Sequence, residues 1–155
     1  MKPARAILFG ALTVGVLDGL DAIIFFGLRG VAPTRIFQGI ASGLLGGASF
    51  QGGAATVALG VLLHFTVALG IVTTYVVASR RLPDLARRPF VWGPLYGVAA
   101  YLVMNYVVIP LSAITPRTPP LAVVVNGVLI HMLGVGLPAA LFARAARQPA
   151  LPPPA

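Results

Sequence analysis

The chain has 155 residues, of which 58% are hydrophobic and 9% are charged, and its formal net charge is +8. Soluble domains usually carry about 25% charged residues, so this composition excludes an ordinary soluble domain and favours helices in contact with lipid. The chain contains no cysteine, which excludes disulfides, thiolate metal ligands and thiol nucleophiles. Its basic residues lie between apolar runs, so we expect anionic lipid headgroups as partners, and no nucleic acid.

Four stretches of the chain are long and apolar enough to cross a membrane, because a spanning helix needs about 20 apolar residues. In chain order they run from about Ala6 to Leu28, Ala55 to Ser79, Phe90 to Ile114 and Leu121 to Ala143. The predicted fold is therefore all-α, a polytopic bundle of four transmembrane helices. Residues 1–147 are predicted to form a single domain, and the proline-rich residues 148–155 a flexible tail.

The first apolar stretch has a rival interpretation as a cleavable signal peptide, because Lys2 and Arg5 precede it. Asp18 and Asp21 interrupt the run, however, and no small-x-small cleavage site follows it. A retained first span is therefore the favoured interpretation.

The segment between the first two spans, Ile36 to Phe50, is apolar but too short to cross a bilayer comfortably. We predict a short re-entrant or interfacial helix there, with a glycine-rich outer loop as the alternative. Gly39, Gly43 and Gly47 recur at every fourth position. On a helix they would form a smooth ridge that another backbone can approach closely, so Gly43 is predicted to contact another helix.

The basic residues predict the orientation of the bundle. Eight of them fall on one side of the predicted spans, namely Lys2, Arg5, Arg80, Arg81, Arg87, Arg88, Arg144 and Arg147. Three fall on the other side, namely Arg29, Arg35 and Arg117. Because positive charge accumulates on the cytoplasmic side, we expect a multi-pass protein of the bacterial inner membrane with both termini inside. A homo-oligomer or a larger membrane complex is a further possible partner.

Two pairs of glycines have the spacing of helix-packing motifs. Gly15 and Gly19 form a GxxxG pair in the first span, and Gly93 and Gly97 form another in the third. Lipid tails are as apolar as leucine, so membrane helices associate through close packing, which small residues permit. The two pairs are therefore predicted to lie at helix–helix contacts.

The most informative residues are polar groups inside the predicted spans, at broadly similar depth. They are Asp18, Asp21, His64, Asn105 and His131. A charged aspartate at the bilayer centre costs about 2.5–3.5 kcal/mol on insertion scales, so both acids need a proton, a partner or water. Asp18 is predicted to point into the bundle towards His64 or His131.

Three interpretations of these polar groups remain open. They can be structural, forming hydrogen bonds between helices, or they can be a relay for protons or ions. Alternatively His64 and His131 ligate a metal or a haem, since nearby glycines, Gly60, Gly127 and Gly134, would make room for a flat cofactor. The sequence names no cofactor. Asn126 lies about 140° around the helix from His131, so these two are not expected to act together.

Catalytic motifs are absent from the sequence: it has no hydrolase elbow, P-loop or dinucleotide fingerprint. We therefore expect a protein that is not an enzyme. The leading functional hypothesis is a membrane component whose buried Asp/His site relays protons or ions. The alternative is an accessory subunit that packs against a larger membrane complex.

A set of short motifs in the second half of the chain has a family pattern. It comprises His64, Tyr75, Pro83, Gly93, Gly97, Pro110-Leu111, Thr115-Pro116 and His131. In these residues the chain resembles the YagU-like family of small bacterial inner-membrane proteins, over residues 64–131. The resemblance implies an inner-membrane location and no established biochemical activity. It does not extend to Asp18, Asp21 or the glycine ridge.

Overall fold

The computed structural model describes residues 1–115 and 118–147. Within them lie seven α-helices: α1 (Pro3–Gly27), α2 (Pro33–Leu45), α3 (Gly53–Arg81), α4 (Pro83–Arg87), α5 (Pro89–Val103), α6 (Leu121–Ile130) and α7 (Leu137–Arg147). Three segments are wound differently: a 3₁₀-helix at Gly46–Gln51 and π-helices at Met104–Val108 and His131–Gly136. The predictions for Pro116, Arg117 and residues 148–155 fall outside the described residues.

Four helical stretches have the length and hydropathy of membrane spans. They are Pro3–Gly27, Gly53–Arg81, Pro89–Val108 and Leu121–Arg147, the last of which joins α6, a π segment and α7. The prediction of an all-α bundle with four spans and a shorter helix between the first two is confirmed. The third span ends at Val108 rather than at Ile114, because the chain turns at Pro110.

Both ends of the described chain lie at one end of the bundle, which we call the proximal end. The amino group of Met1 donates a hydrogen bond to the carbonyl of Ala145 at 2.9 Å, and Arg147 donates to the carbonyl of Ser79 at 2.6 Å. The opposite, distal end carries α2. An even number of spans accounts for this arrangement, since each span reverses the direction of the chain.

The buried core occupies the proximal half of the bundle. Its residues are Val14, Ala68, Val72, Tyr75, Val76, Val135, Ala139, Ala140 and Ala143. Tyr75 is the largest of them, and its hydroxyl donates to the carbonyl of Leu85 at 2.8 Å. This bond satisfies the one polar atom of a side chain that is otherwise buried among apolar groups.

The distal half of the bundle is open by comparison. Of the described residues of α1, none after Gly19 is buried, and neither α6 nor the π segment Met104–Val108 contains a buried residue. The spans therefore pack tightly near the termini and diverge towards α2. The polar residues singled out in the sequence lie between the middle of the bundle, where the carbonyl of His131 meets Gly97, and this open end.

The two π segments precede the prolines that disturb the third and fourth spans. Proline has no backbone N–H and cannot complete the α-helical hydrogen-bond ladder. Before Pro110, the N–H of Ile109 bonds to the carbonyl of Met104 at 2.9 Å, five residues back. Pro138 follows the π segment that begins at His131. Single-turn π segments of this kind are frequent at functional sites.

The third and fourth spans approach each other most closely at glycines. A Cβ on Gly97 would overlap the carbonyl of His131, and a Cβ on Gly136 would overlap the carbonyl of Gly93. At Gly93 the nearest backbone atom would be the Cα of Leu137, at 2.8 Å. Backbone therefore packs on backbone at this crossing, as the GxxxG spacing of Gly93 and Gly97 predicts.

The short helix α2 packs on α3, but not through its glycine ridge. Apart from the adjacent backbone, no described atom lies within 4 Å of a Cβ built on Gly39 or Gly47, and the nearest such atoms to one on Gly43 are side-chain carbons at 3.9 Å. Because α2 ends at Leu45, Gly47 has left the helix and the three glycines do not form one ridge. This corrects the expected close helix contact at Gly43.

The close approach of α2 and α3 occurs instead at Gly60 of α3, where a Cβ would overlap the carbonyl of Phe37. Gly43 has a different role, because its carbonyl accepts a hydrogen bond from the N–H of Ala113 at 2.9 Å. Helix α2 thus connects α3 to the loop that follows the third span, at the distal end of the bundle.

We predict that Gly97→Ala destabilises the protein by about 1–3 kcal/mol, because backbone atoms cannot move aside for the new methyl group. The matched control is Gly70→Ala in α3, where no described atom lies within 4 Å of the new Cβ. That variant should keep wild-type stability or gain up to about 1 kcal/mol, since alanine is the better helix former. Unfolding in detergent micelles measures both, and equal stability of the two variants would contradict the packing described.

Candidate functional site

Asp18 of α1 and His64 of α3 face each other in the open half of the bundle. The carboxylate oxygen Oδ2 of Asp18 lies 3.9 Å from Nδ1 of His64. The side chain of Asp18 is 27% exposed and that of His64 is 11% exposed. Asp18 therefore points towards His64, as expected, and it is half-buried rather than enclosed.

The hydrogen bonds of His64 fix the roles of its two ring nitrogens. Nε2 lies 2.8 Å from the carbonyl oxygen of Gly15. Because a carbonyl can only accept, Nε2 must carry the hydrogen, so in the neutral ring Nδ1 is the basic nitrogen. That basic nitrogen is the one that faces Asp18. The chain thus presents a proton acceptor to a carboxyl group across one helix–helix contact.

The glycines of α1 make this arrangement possible. A Cβ on Gly19 would lie 3.3 Å from Nε2 of His64, and a Cβ on Gly15 would overlap the ring of Phe65. The rings of Phe37 and Phe65 lie edge-on to the imidazole, at centroid distances of 6.4 and 5.4 Å. Gly15 and Gly19 therefore open the space that His64 occupies, and aromatic rings hold the imidazole in it.

Asp21, one turn further towards the distal end, has a different partner. Its Oδ2 accepts a hydrogen bond from Nδ2 of Asn126 in α6, at 2.7 Å. This pairing was not predicted from the sequence, in which Asn126 was related only to His131. The available signal was depth: Asp21 precedes the end of α1 by six residues, and Asn126 follows the start of α6 by five. The two side chains are thus at the same level of antiparallel spans.

His131 bonds within its own helix. Its Nδ1 lies 2.9 Å from the carbonyl of Gly127, so Nδ1 carries the hydrogen and Nε2 is the basic nitrogen of the neutral ring. The ring lies edge-on to that of Tyr101, with centroids 5.4 Å apart.

Within the described part of the chain, Asn105 forms no side-chain hydrogen bond to another helix. Its amide nitrogen donates to the carbonyl of Tyr101 on the same span, at 2.9 Å. The residue lies in the π segment Met104–Val108, near the distal end of the third span. Its recorded bond supports the local winding of that span.

The geometry offers little to a metal ion. Among residues 1–115 and 118–147, no group of three or more His, Asp or Glu side chains could hold one. Nε2 of His64, which is the usual ligating atom of a haem-bound histidine, is engaged by the carbonyl of Gly15. As it stands, this ring is poorly arranged to ligate through that nitrogen.

Comparison of the chain with protein-family models, curated proteins and solved structures finds no match.

We predict a measurable energetic coupling between Asp21 and Asn126. Interhelical hydrogen bonds in membranes contribute about 0.6 kcal/mol on average and at most about 1.7 kcal/mol. A double-mutant cycle with Asp21→Ala and Asn126→Ala, followed by unfolding in detergent, should give a coupling in that range. Asn105→Ala, paired with Asp21→Ala, provides the matched control and should show none. Strictly additive effects of Asp21→Ala and Asn126→Ala would contradict the bond.

Proposed function

We propose that this protein is a proton-relay or transport component of a bacterial plasma membrane, and that Asp18 and His64 exchange the proton. The observation that carries the proposal is that the basic nitrogen of His64 faces Asp18 at 3.9 Å. Intramembrane ionisable groups that face the interior of a bundle are characteristic of proton and ion pathways. Histidine suits this task because its charge changes near neutral pH.

The exchange needs only a small movement. A hydrogen bond between Asp18 and Nδ1 would form once the two atoms approach to about 3 Å. The carboxylic acid would then transfer its proton to Nδ1, leaving a carboxylate beside an imidazolium with both ring nitrogens protonated. Nε2 would keep its bond to Gly15 throughout, so the ring need not rotate.

Under this proposal, protons would reach the pair from one side of the membrane. Asp18 is the more exposed partner and lies towards the open distal half. On the proximal side, Val14, Val72 and Val135 belong to the buried core. Protons would therefore reach Asp18 from the distal side, and release to the other side would require the spans to repack, as alternating-access proteins do.

The second proposed function is that of an accessory subunit in a larger membrane assembly. Within the most apolar 18-residue stretch of each span, only 17–28% of the residues are buried by the rest of the chain. Much apolar surface is therefore left for lipid or for another subunit. Under this proposal the Asp18–His64 contact is structural and exchanges no proton.

We further propose that the chain is related to the YagU-like proteins, on the motifs between His64 and His131, and that it is not an enzyme. Both termini and the α3–α4–α5 connection would be cytoplasmic. The charge distribution supports this orientation, because eight basic residues lie towards the proximal end and only Arg29 and Arg35 lie towards the distal end of the described chain.

Single-cysteine labelling tests the orientation cleanly, since the native chain contains no cysteine. We expect a membrane-impermeant maleimide added outside intact cells to label Thr118→Cys and not Asp84→Cys. Both positions are exposed, whereas Ala86, in the same connection as Asp84, is 2% exposed and unsuitable for labelling. Labelling of Asp84→Cys alone would reverse the proposed orientation.

The relay is tested by Asp18→Asn, which keeps size and hydrogen-bonding capacity but cannot exchange a proton. We expect wild-type vesicles to show proton movement under an imposed gradient, read with an entrapped pH-sensitive dye, and the variant to show none while folding normally. Asp84→Asn is the matched control, because it makes the same chemical change at an exposed acid outside the spans. It should behave as the wild type does.

Two results would count against the relay. One is the absence of proton movement in wild-type vesicles under any gradient, and the other is full activity of Asp18→Asn. If the wild type is inactive while Asp18→Asn folds and assembles normally, the accessory-subunit proposal remains.

A further inference from the structure

Two hydrogen bonds bring three segments of the chain together at the proximal end. The amino group of Met1 donates to the carbonyl of Ala145, near the end of α7, at 2.9 Å. Arg147, two residues further along α7, donates to the carbonyl of Ser79, near the end of α3, at 2.6 Å. The start of α1 and the ends of α3 and α7 therefore meet at one place.

Four basic side chains surround this meeting point, and we call them the basic cluster: Lys2, Arg80, Arg144 and Arg147. Lys2 follows Met1 and Arg80 follows Ser79 in the chain, whereas Arg144 precedes Arg147 by three residues and so shares a side of α7 with it. All four residues are exposed. The bond to Ser79 uses only one of the guanidinium nitrogens of Arg147, so donors remain for a ligand.

The acidic side chains of the chain are all placed elsewhere. There are three of them, and Asp18 and Asp21 lie in the distal part of the first span. The third, Asp84 in α4, lies 3.8 Å from Arg87, which is not part of the basic cluster. Four like charges held at one place repel one another, so the basic cluster is stabilised by anions from outside the chain.

The level of the basic cluster in the membrane favours a phospholipid as the source of these anions. The cluster lies at the ends of three spans, where the phosphate groups of a bilayer lie. One to two helical turns deeper, α1 and α7 pack together at Gly10 and Phe142, and they expose Leu8 and Leu141. Cations at the end of an apolar helical surface are complementary to an anionic headgroup and its acyl chains.

We infer that the basic cluster binds an anionic phospholipid that has two phosphodiester groups. One phosphodiester carries a single negative charge, whereas the cluster carries four positive charges spread over three helix ends. Two linked phosphates offset more of that charge and reach more of the helix ends. Arginine suits this task, because its planar guanidinium forms paired hydrogen bonds with phosphate oxygens. Basic pockets between spans on the cytoplasmic side bind headgroups of this kind.

The test compares diphosphatidylglycerol, which has two phosphodiesters, with phosphatidylglycerol, which has one. Native mass spectrometry of the purified full chain, released from detergent micelles, counts the bound lipids and gives their affinities. We expect the wild type to bind one diphosphatidylglycerol at least about tenfold more tightly than one phosphatidylglycerol, because the second phosphate engages further basic side chains. A general attraction to negative charge would change the affinity only in proportion to the number of phosphates.

The variant that tests the residues combines Arg80→Gln with Arg144→Gln. We expect its affinity for diphosphatidylglycerol to be about tenfold lower or worse. Both positions are exposed, so the variant should keep its fold by circular dichroism and gel filtration. The matched control combines Arg87→Gln with Arg88→Gln, which removes the same charge from the same end of the bundle but outside the basic cluster. It should bind the lipid as the wild type does.

Inorganic phosphate separates a lipid site from a site for free anions. It should not displace bound diphosphatidylglycerol, because it makes no contact with the apolar surface of α1 and α7. The binding measurement involves neither Asp18 nor His64 and no proton movement. An inactive relay would therefore leave this inference standing, and a failure of lipid binding would leave the relay standing.

Four results would overturn the inference. The first is an equal affinity of the wild type for the two lipids, and the second is undiminished binding to the folded variant Arg80→Gln with Arg144→Gln. The third is an equal loss of binding in Arg87→Gln with Arg88→Gln, which would mean that any basic pair at this end attracts the lipid. The fourth is displacement of the lipid by inorganic phosphate.

Discussion

The backbone crossing of the third and fourth spans is the contact on which the rest of the bundle depends. Helices in lipid gain little from burying apolar side chains against one another, so their association relies on close packing. At Gly93, Gly97 and Gly136 the two backbones meet with no side chain between them. This crossing draws the spans together in the proximal half, where alanines and valines fill the core. The same crossing leaves the distal halves free to diverge, which is where every intramembrane acid lies.

Most polar side chains of the distal half offset the cost of lying within the membrane by forming hydrogen bonds with backbone carbonyls. His64 bonds to Gly15, His131 to Gly127 and Asn105 to Tyr101, each at 2.8–2.9 Å. A carbonyl that already sits in a helix has a second lone pair to offer, so these bonds disturb the helices little. Each histidine then has one nitrogen fixed as a donor and one that is basic. The same arrangement thus satisfies the hydrogen-bond donor of each imidazole and leaves its other nitrogen able to bind a proton.

Much of the fold follows from the sequence, because spanning length and hydropathy are local properties. The four spans and the short helix before α3 were predictable on that basis, and the close contacts at Gly97 and Gly19 were predictable from their GxxxG spacing. The prediction of a glycine ridge was wrong, because it required one helix to continue through Gly47, whereas α2 ends at Leu45. The Asp21–Asn126 bond was also missed. Helical periodicity relates residues on one helix, but a bond between spans depends on their depth and rotation, which only packing determines.

Asp18 and Asp21 lie one turn apart on the same helix, yet their partners give them different chemistry. Asp18 faces a basic imidazole nitrogen, and under the proposed relay a proton would pass between the two groups. Asp21 is hydrogen-bonded to the amide of Asn126, which neither takes up nor releases a proton near neutral pH. An acid that faces a histidine has a partner with which it could exchange a proton, whereas an acid held by an amide has none. The two acids are therefore better understood as two separate sites, which differ in the partner residue that the facing helix supplies.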